Sequence, residues 1–298
     1  MYESLEKHSN NFHLYIFAFD TRSYNLLKKL NLALVTIISL NEFEDEELLE
    51  VKKHRTQVEY CWTCTPSIIK YCIENFNLES CTYLDADIYF FSNPNILVEE
   101  MGGKSILITE HRYTPKYDKT LRSGVYNVQF MTFKNDTNGM KALNWWRNSC
   151  ITWCYNRVEK EKFGDQKYLD DFTVRFKGVH VLKHLGGGVA PWNVQQYKLK
   201  EKPFELVFYH FHGFKFLSND QVDLGVYSLT KDDIKILYKP YLIHLKKIEE
   251  NILLSNDNYD YHGIVTSKKF NWKDLIKHLW RLFNRTNNIY HINHILKL

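Results

Sequence analysis

Apolar positions fall into short runs rich in β-branched and aromatic residues, separated by longer amphipathic stretches. "MYESLEKHSNN" reads as the end of a helix and a turn. Residues 12–20 read as a strand ending at Asp20, 22–30 as a helix and 31–40 as a second strand. Residues 42–76 carry acids early and bases later, the order a helix macrodipole favours, and Pro66 is expected to open a new helix. Strands are predicted at 81–94, 104–112 and 126–134, a long helix over 138–157, and a closing strand over 205–214.

This alternation predicts an α/β fold with a mostly parallel, mixed sheet flanked by helices. The pattern changes near residue 230, dividing the chain into a main domain over 1–230 and a helical C-terminal extension over 231–298. The extension has a polar linker at 255–263 and a tail from Ser267 that holds seven Lys/Arg and one Asp. Trp272, Leu275, Ile276, Leu279, Trp280, Leu282 and Phe283 are interleaved with those charges. Such a basic amphipathic segment suits peripheral contact with a membrane; a terminal helix packed on its own domain gives the same pattern.

Composition narrows the class. The hydrophobic fraction of 44% supplies a core and the charged fraction of 25% argues against global disorder. A net charge of +4 over 298 residues, with no dominant Lys/Arg block, excludes nucleic acid as the expected partner. No apolar leader opens the chain and no uninterrupted apolar run reaches about 18 residues, so a soluble cytoplasmic protein is expected, with any membrane contact peripheral. Cys61 and Cys64 have C-x-x-C spacing and Cys150 and Cys154 lie one helical turn apart. Buried reduced cysteines acting as small hydrophobes account for them more simply than a four-sulfur metal site.

The chemistry concentrates in "CTYLDADIYFFSNP", where Asp85 and Asp87 follow an apolar strand. Ligands of open α/β sheets bind beyond the carboxyl ends of strands. Two close carboxylates there raise each other's pKa unless a cation neutralises them, and Mg²⁺ or Mn²⁺ shared with substrate phosphates is the natural choice. Two chemistries use this pattern. Haloacid-dehalogenase-like phosphatases use the first Asp as nucleophile, and "GDQKYLDD" mimics their later acidic motif; but Ile88-Tyr89-Phe90 follows Asp87 where a Gly-Thr turn is expected.

The other is nucleotide-sugar transfer. "YLDADIYFFSNP" resembles the DXD segment of glycosyltransferases of the GT-A fold, especially those similar to family 8. Over residues 1–217 further segments recur in that family's order: "VYNVQFMTFKND", "FGDQKYLDDF", "APWNVQQY" and "FYHFHGFK". The resemblance implies a GT-A, Rossmann-like domain that transfers a sugar, with retention, from a nucleoside-diphosphate sugar (a UDP-sugar favoured) to a glycan or lipid-linked acceptor of bacterial polysaccharide type. It implies Mn²⁺ or Mg²⁺ held by Asp85, Asp87 and His210, the last preferred to His212 for its spacing to Gly213, and Asp165 and Gln166 as catalytic residues at the sugar. It implies donor contacts from Asn127, Trp192, Asn193, Gly213 and Lys215. A binding-only relative of the same fold is the third possibility.

The sequence departs from the family in four places. Gln129 stands where glycine is usual and is expected to crowd the acceptor side, and Lys215 is one residue closer to His210 than the family's lysine. Arg55 is the nearest substitute for an arginine expected before the DXD strand. The family's first strand, which holds the nucleotide base, has no counterpart ahead of the first helix. Trp145, Trp146 and Trp153 are expected in the core, Asp170 and Asp171 solvated, and Gly186–Gly188 in a flexible acceptor-side loop.

Overall fold

The computed structural model describes residues 1–201, 203–253, 272–284 and 286–298, without the side chains of 253, 273–275, 277 and 278. The predicted linker and the start of the basic tail lie outside them. The strands are β1 (Leu14–Ala18), β2 (Val35–Ser39), β3 (Ser80–Leu84), β4 (Ile88–Phe90), β5 (Ile106–Glu110), β6 (Tyr126–Lys134), β7 (Val179–Val181), β8 (Phe208–His210), β9 (Lys215–Leu217), β10 (Gln221–Asp223) and β11 (Ile289–His291). The principal helices are α1 (Tyr2–His8), α2 (Thr21–Leu30), α3 (Gln57–Asn75), α4 (Thr137–Thr152), α5 (Lys239–Leu253) and α6 (Trp272–Phe283).

Local chemistry sets the helix starts. The first strand ends at Ala18, two residues short of the expected Asp20, which instead caps α2, accepting from the Ser23 N–H at 2.8 Å. Thr56 and Glu59 form a capping box on α3, and Asp136 caps α4. Contrary to expectation, Pro66 does not start a helix but lies inside α3. An internal proline costs roughly 3 kcal/mol. Burial of Thr63, Cys64, Thr65, Ser67 and Ile69 around it holds the helix together across the missing hydrogen bond.

The α/β architecture with a mixed central sheet is present, but its balance differs from expectation. In the sheet ordered β3-β6-β5-β7 only β5–β7 is parallel; β6 pairs antiparallel with both β3 and β5. Parallel pairing needs a long crossover. Between β5 and β6 stand only the short turns Pro115–Tyr117 and Thr120–Ser123, so the chain returns antiparallel. β1 and β2 form a separate parallel pair around α2.

α3 and α4 supply Ile69, Ile73, Leu143 and Trp146 to a core built on β5 and β6. Trp146 and Trp153 are buried and Trp145 packs against that core, as expected. A second core joins Tyr209 and Phe211 to Leu237, Leu242, Ile292 and Ile295. A third brings Leu5 of α1 against Ile88, Phe90 and Phe208. Ser4 Oγ accepts from the Phe90 N–H at 3.1 Å, and His244 of α5 lies 2.6 Å from Glu3 and 3.2 Å from the Tyr89 hydroxyl. β4 is thereby held from two sides.

Candidate metal and phosphate site

The apolar run after residue 80 is two strands rather than one. β3 pairs with β6 as far as Leu84–Phe130, the chain turns at Ala86–Asp87, and β4 pairs with β8 through Ile88–His210. Asp85 and Asp87 occupy this handover between two sheets. The Asp85 N–H donates to Gln129 C=O at 3.1 Å, and Asp87 C=O accepts from the Phe211 N–H at 2.9 Å.

Pairing of β4 with β8 brings the histidines to the carboxylates. His210 Nε2 is 2.9 Å from Asp87 Oδ1 and 3.7 Å from Asp85 Oδ2. His212, two residues on, reaches the same place. Ligand atoms of Asp87, His210 and His212 lie within 4.8 Å of one another, the one such group of three or more His, Cys, Asp or Glu among the described residues. The six cysteines are free thiols, four of them buried. A carboxylate beside two imidazoles is a donor set that a divalent first-row ion accepts.

Electrostatics follow from burial and proximity. Burial pushes the Asp85 carboxyl up, against the pull of His210. Burial also opposes charge on Asp87, yet His210 and then His212 outweigh it, and the carboxyl sits below its ordinary value. Burial opposes the His210 cation, but Asp87 and Asp85 raise its pKa. Burial, then His210, lowers His212 to about 4, with Lys119 and Lys215 adding to the effect. A neutral imidazole is the form that binds metal.

Trp192 stands edge-on to both imidazoles, with ring centroids 5.5 Å from His210 and 5.4 Å from His212. Its indole N–H donates to His111 C=O at 3.0 Å. Asn193 spends its amide on the backbone, accepting from Ala190 N–H and donating to His111 C=O and Gly188 C=O, each at 2.9 Å. It builds the loop beneath the site. The glycines before it are packed tightly rather than flexible: a Cβ on Gly186 would overlap Glu205 C=O, and one on Gly187 would meet Leu182 and Leu97. Gly213 has φ +81°, with open space beside it. Lys215 is exposed at the start of β9.

Asp165 is buried, and burial, then Asp85, pushes its carboxyl up to about 7. Its own C=O accepts from the Trp146 indole. Gln166 donates to Ser123 C=O at 2.6 Å. Asn127 and Gln129 alternate on β6 and so share a face. Asn127 Nδ2 donates to Glu110 C=O at 3.4 Å, while its buried Oδ1 has no partner among the described residues. Arg55 spends its guanidinium on Ile151 C=O and the Tyr155 ring. Asp170 is not simply solvated: it accepts from the Val125 N–H at 2.7 Å, beneath Gly124.

Two residues are weighted differently by the sequence, and one escapes it. The sequence prefers His210 to His212, yet His212 joins the same cluster. Gln129, expected to crowd the acceptor side, also places Oε1 2.6 Å from His210 Nδ1. Lys119, whose ammonium lies 3.1 Å from the Tyr227 hydroxyl, adds positive charge near His212 and had no motif to mark it.

The fold and this acid–histidine cluster define a mixed α/β protein with a candidate divalent-cation site at a sheet junction. The chain belongs to the family of the uncharacterized protein YfnD of Bacillus subtilis (strain 168). It is 35% identical to that protein over 263 residues, covering 83% of this chain and 84% of the relative. The uncharacterized protein YfnF of the same organism is 29% identical over 257 residues, covering 81% and 84%. No protein-family model matches the chain. Solved structures similar to it include mouse xyloside xylosyltransferase 1 in its apo form (15% identity, TM-score 0.45, 71% of this chain and 90% of that one). Another is a glycosyltransferase involved in glycosylation of the major capsid of PBCV-1 (13% identity, TM-score 0.42, 68% and 93%).

Proposed function

We propose that the chain is a metal-dependent glycosyltransferase of the GT-A type. It takes a hexosyl group from a nucleoside-diphosphate sugar, a UDP-sugar favoured, and delivers it with retention to a glycan or lipid-linked acceptor. The observation that carries this reading is the convergence of Asp87, His210 and His212 within 4.8 Å of one another, beside Asp85, where the chain passes from β3 to β4. Asp87, His210 and His212, with Asp85 alongside, would hold Mn²⁺ or Mg²⁺. The ion would supply Lewis-acid stabilisation of the departing nucleoside diphosphate.

The remaining work falls to the chain itself. Gln129 fixes the orientation of His210. Lys215 and Lys119 provide positive charge for phosphate oxygens on the exposed side. Asn127 presents an unpartnered buried Oδ1. Leaving such an acceptor dry costs about 1–3 kcal/mol, so a donor hydroxyl of a sugar would be welcome there. Asp165, with its pKa near 7, can offer either a proton or a lone pair to a sugar hydroxyl at neutral pH. Trp192 closes one wall and limits water around the imidazoles.

The dehalogenase-type phosphatase reading is not favoured. Its nucleophile would be Asp85, whose Oδ1 accepts from the Tyr83 hydroxyl at 3.0 Å. Titration calorimetry with UDP and GDP, with and without Mn²⁺, tests the proposal. Metal-dependent binding that Asp87→Ala abolishes supports it, and turnover of a bound sugar nucleotide separates a transferase from a binding-only relative. If neither nucleotide binds with Mn²⁺ and Asp87→Ala changes nothing, a UDP- or GDP-sugar donor site is refuted.

A further inference from the structure

α6 is amphipathic in the opposite sense from a helix packed on its own domain. At about 100° per residue, Ile276, Leu279, Trp280, Leu282 and Phe283 fall on one arc and Arg281 on the other side. In a docked terminal helix the apolar arc would face the protein. Here Arg281 does: its guanidinium grips the Asp223 carboxylate through two contacts of 2.7 Å and donates to Gly225 C=O at 2.9 Å. The apolar arc faces outward. Ile276 is 53% exposed, Leu279 55%, Trp280 57%, Leu282 50% and Phe283 88%. None of the five joins a hydrophobic cluster among the described residues.

Charge says what covers this face. Residues 267–298 contain seven Lys/Arg and one Asp, an excess of six positive charges. The whole chain has 39 basic and 35 acidic residues, so residues 1–266 carry 32 and 34, a net −2. The cationic surplus of the protein therefore sits on the segment that exposes an apolar helix face. Apolar side chains for acyl chains, Trp280 at one margin of the arc and cations for headgroups together match an anionic bilayer surface. A second copy of the chain would bring like charge to like charge. No helix among the described residues is long and apolar enough to cross a membrane, so the contact would lie in the interface plane.

We propose that α6 is a membrane-contact helix, anchored to the domain through Arg281–Asp223 and laying its apolar face on an anionic lipid surface. This goes beyond the transferase reading and does not depend on it, because the test reads lipid partition rather than turnover or nucleotide binding. The full chain is floated with vesicles of phosphatidylcholine alone and of phosphatidylcholine with phosphatidylglycerol. Flotation with the anionic vesicles, at least about tenfold weaker with neutral ones and weakened by salt, is expected. Leu279→Ser/Phe283→Ser should lose at least about tenfold in partition. Lys273→Glu/Lys277→Glu leaves the apolar arc intact and should lose the preference for anionic vesicles. No flotation with either composition overturns the proposal, as does equal partition of wild type and both variants. Self-association abolished by Leu279→Ser/Phe283→Ser, without flotation, also overturns it and assigns the face to a second copy.

Discussion

His210 Nδ1–H donates to Gln129 Oε1 at 2.6 Å, which leaves Nε2 as the ring nitrogen aimed at Asp87. An amide oxygen only accepts, so this contact sets the tautomer as well as the ring plane. Gln129→Ala should weaken Mn²⁺ binding, measured calorimetrically with UDP present, by about 10–100-fold. Gln129→Glu keeps an acceptor oxygen and should recover part of that loss. Unchanged affinity in both variants would remove Gln129 from the site.

On the proposed metal reading, His212 and Asp85 would make separable contributions to holding the ion. His212 belongs to the tight cluster, whereas Asp85 stands one step behind it with Tyr83 on one oxygen. His212→Ala should cost at least about tenfold in Mn²⁺ affinity. Manganese titration followed by the paramagnetic signal of free Mn²⁺ reads this directly. Wild-type affinity in His212→Ala would return the site to Asp85, Asp87 and His210.

Asp165 links the site to stability. Its pKa in the fold is about 7, against about 3.9 in an unfolded chain. Between those values the folded state keeps a proton that the unfolded state has released. Stability from this group therefore falls as pH rises through that window and is lost above it. Asp165→Asn cannot ionise, so urea unfolding in EDTA should show a flatter pH dependence, with a relative gain at pH 8 on the order of 3 kcal/mol. An identical slope in wild type and variant would contradict the assignment.

Gly188 has φ +90°, and a Cβ there would lie 2.7 Å from Arg112 Nη2 and 2.8 Å from Thr109 Cγ2. Gly188→Ala combines backbone strain with that crowding and should destabilise by roughly 1–3 kcal/mol in denaturant unfolding. The turn also carries the C=O that Asn193 grips, so Mn²⁺ affinity should fall with stability. A neutral substitution would mean the loop relaxes without cost.

Local pattern carried much of this far. The strand at 126–134 matches β6 residue for residue, because nearly all of it is buried and no turn residue interrupts it. Asp85 and Asp87 stood out because charges beside an apolar run need partners. The break between β3 and β4 was invisible, since "TYLDADIYFF" keeps its hydrophobic character while its pairing partner changes from β6 to β8. Both partners are remote in the chain, and the identity of a remote partner leaves no local trace. Asn193 shows the same limit in part: besides its local contacts to Ala190 and Gly188 it grips the remote backbone of His111, and no local signal announces that contact. Gln129 was misjudged for the opposite reason, since comparison with a motif that has glycine there drew attention to bulk rather than to the two-residue spacing from Asn127.

The pairing of β4 with β8 also orders events during synthesis. Residues 85–87 leave the ribosome long before 208–212, and until then the two carboxylates face no imidazole. β3, β5 and β6 can assemble their sheet meanwhile, with the acids at its edge. The Asp87–His210–His212 cluster therefore forms only after β8 has docked. On the proposed metal reading, the chain would in this way be protected from capturing an ion while half made, and acquisition of the ion would mark the docking of β8 on β4.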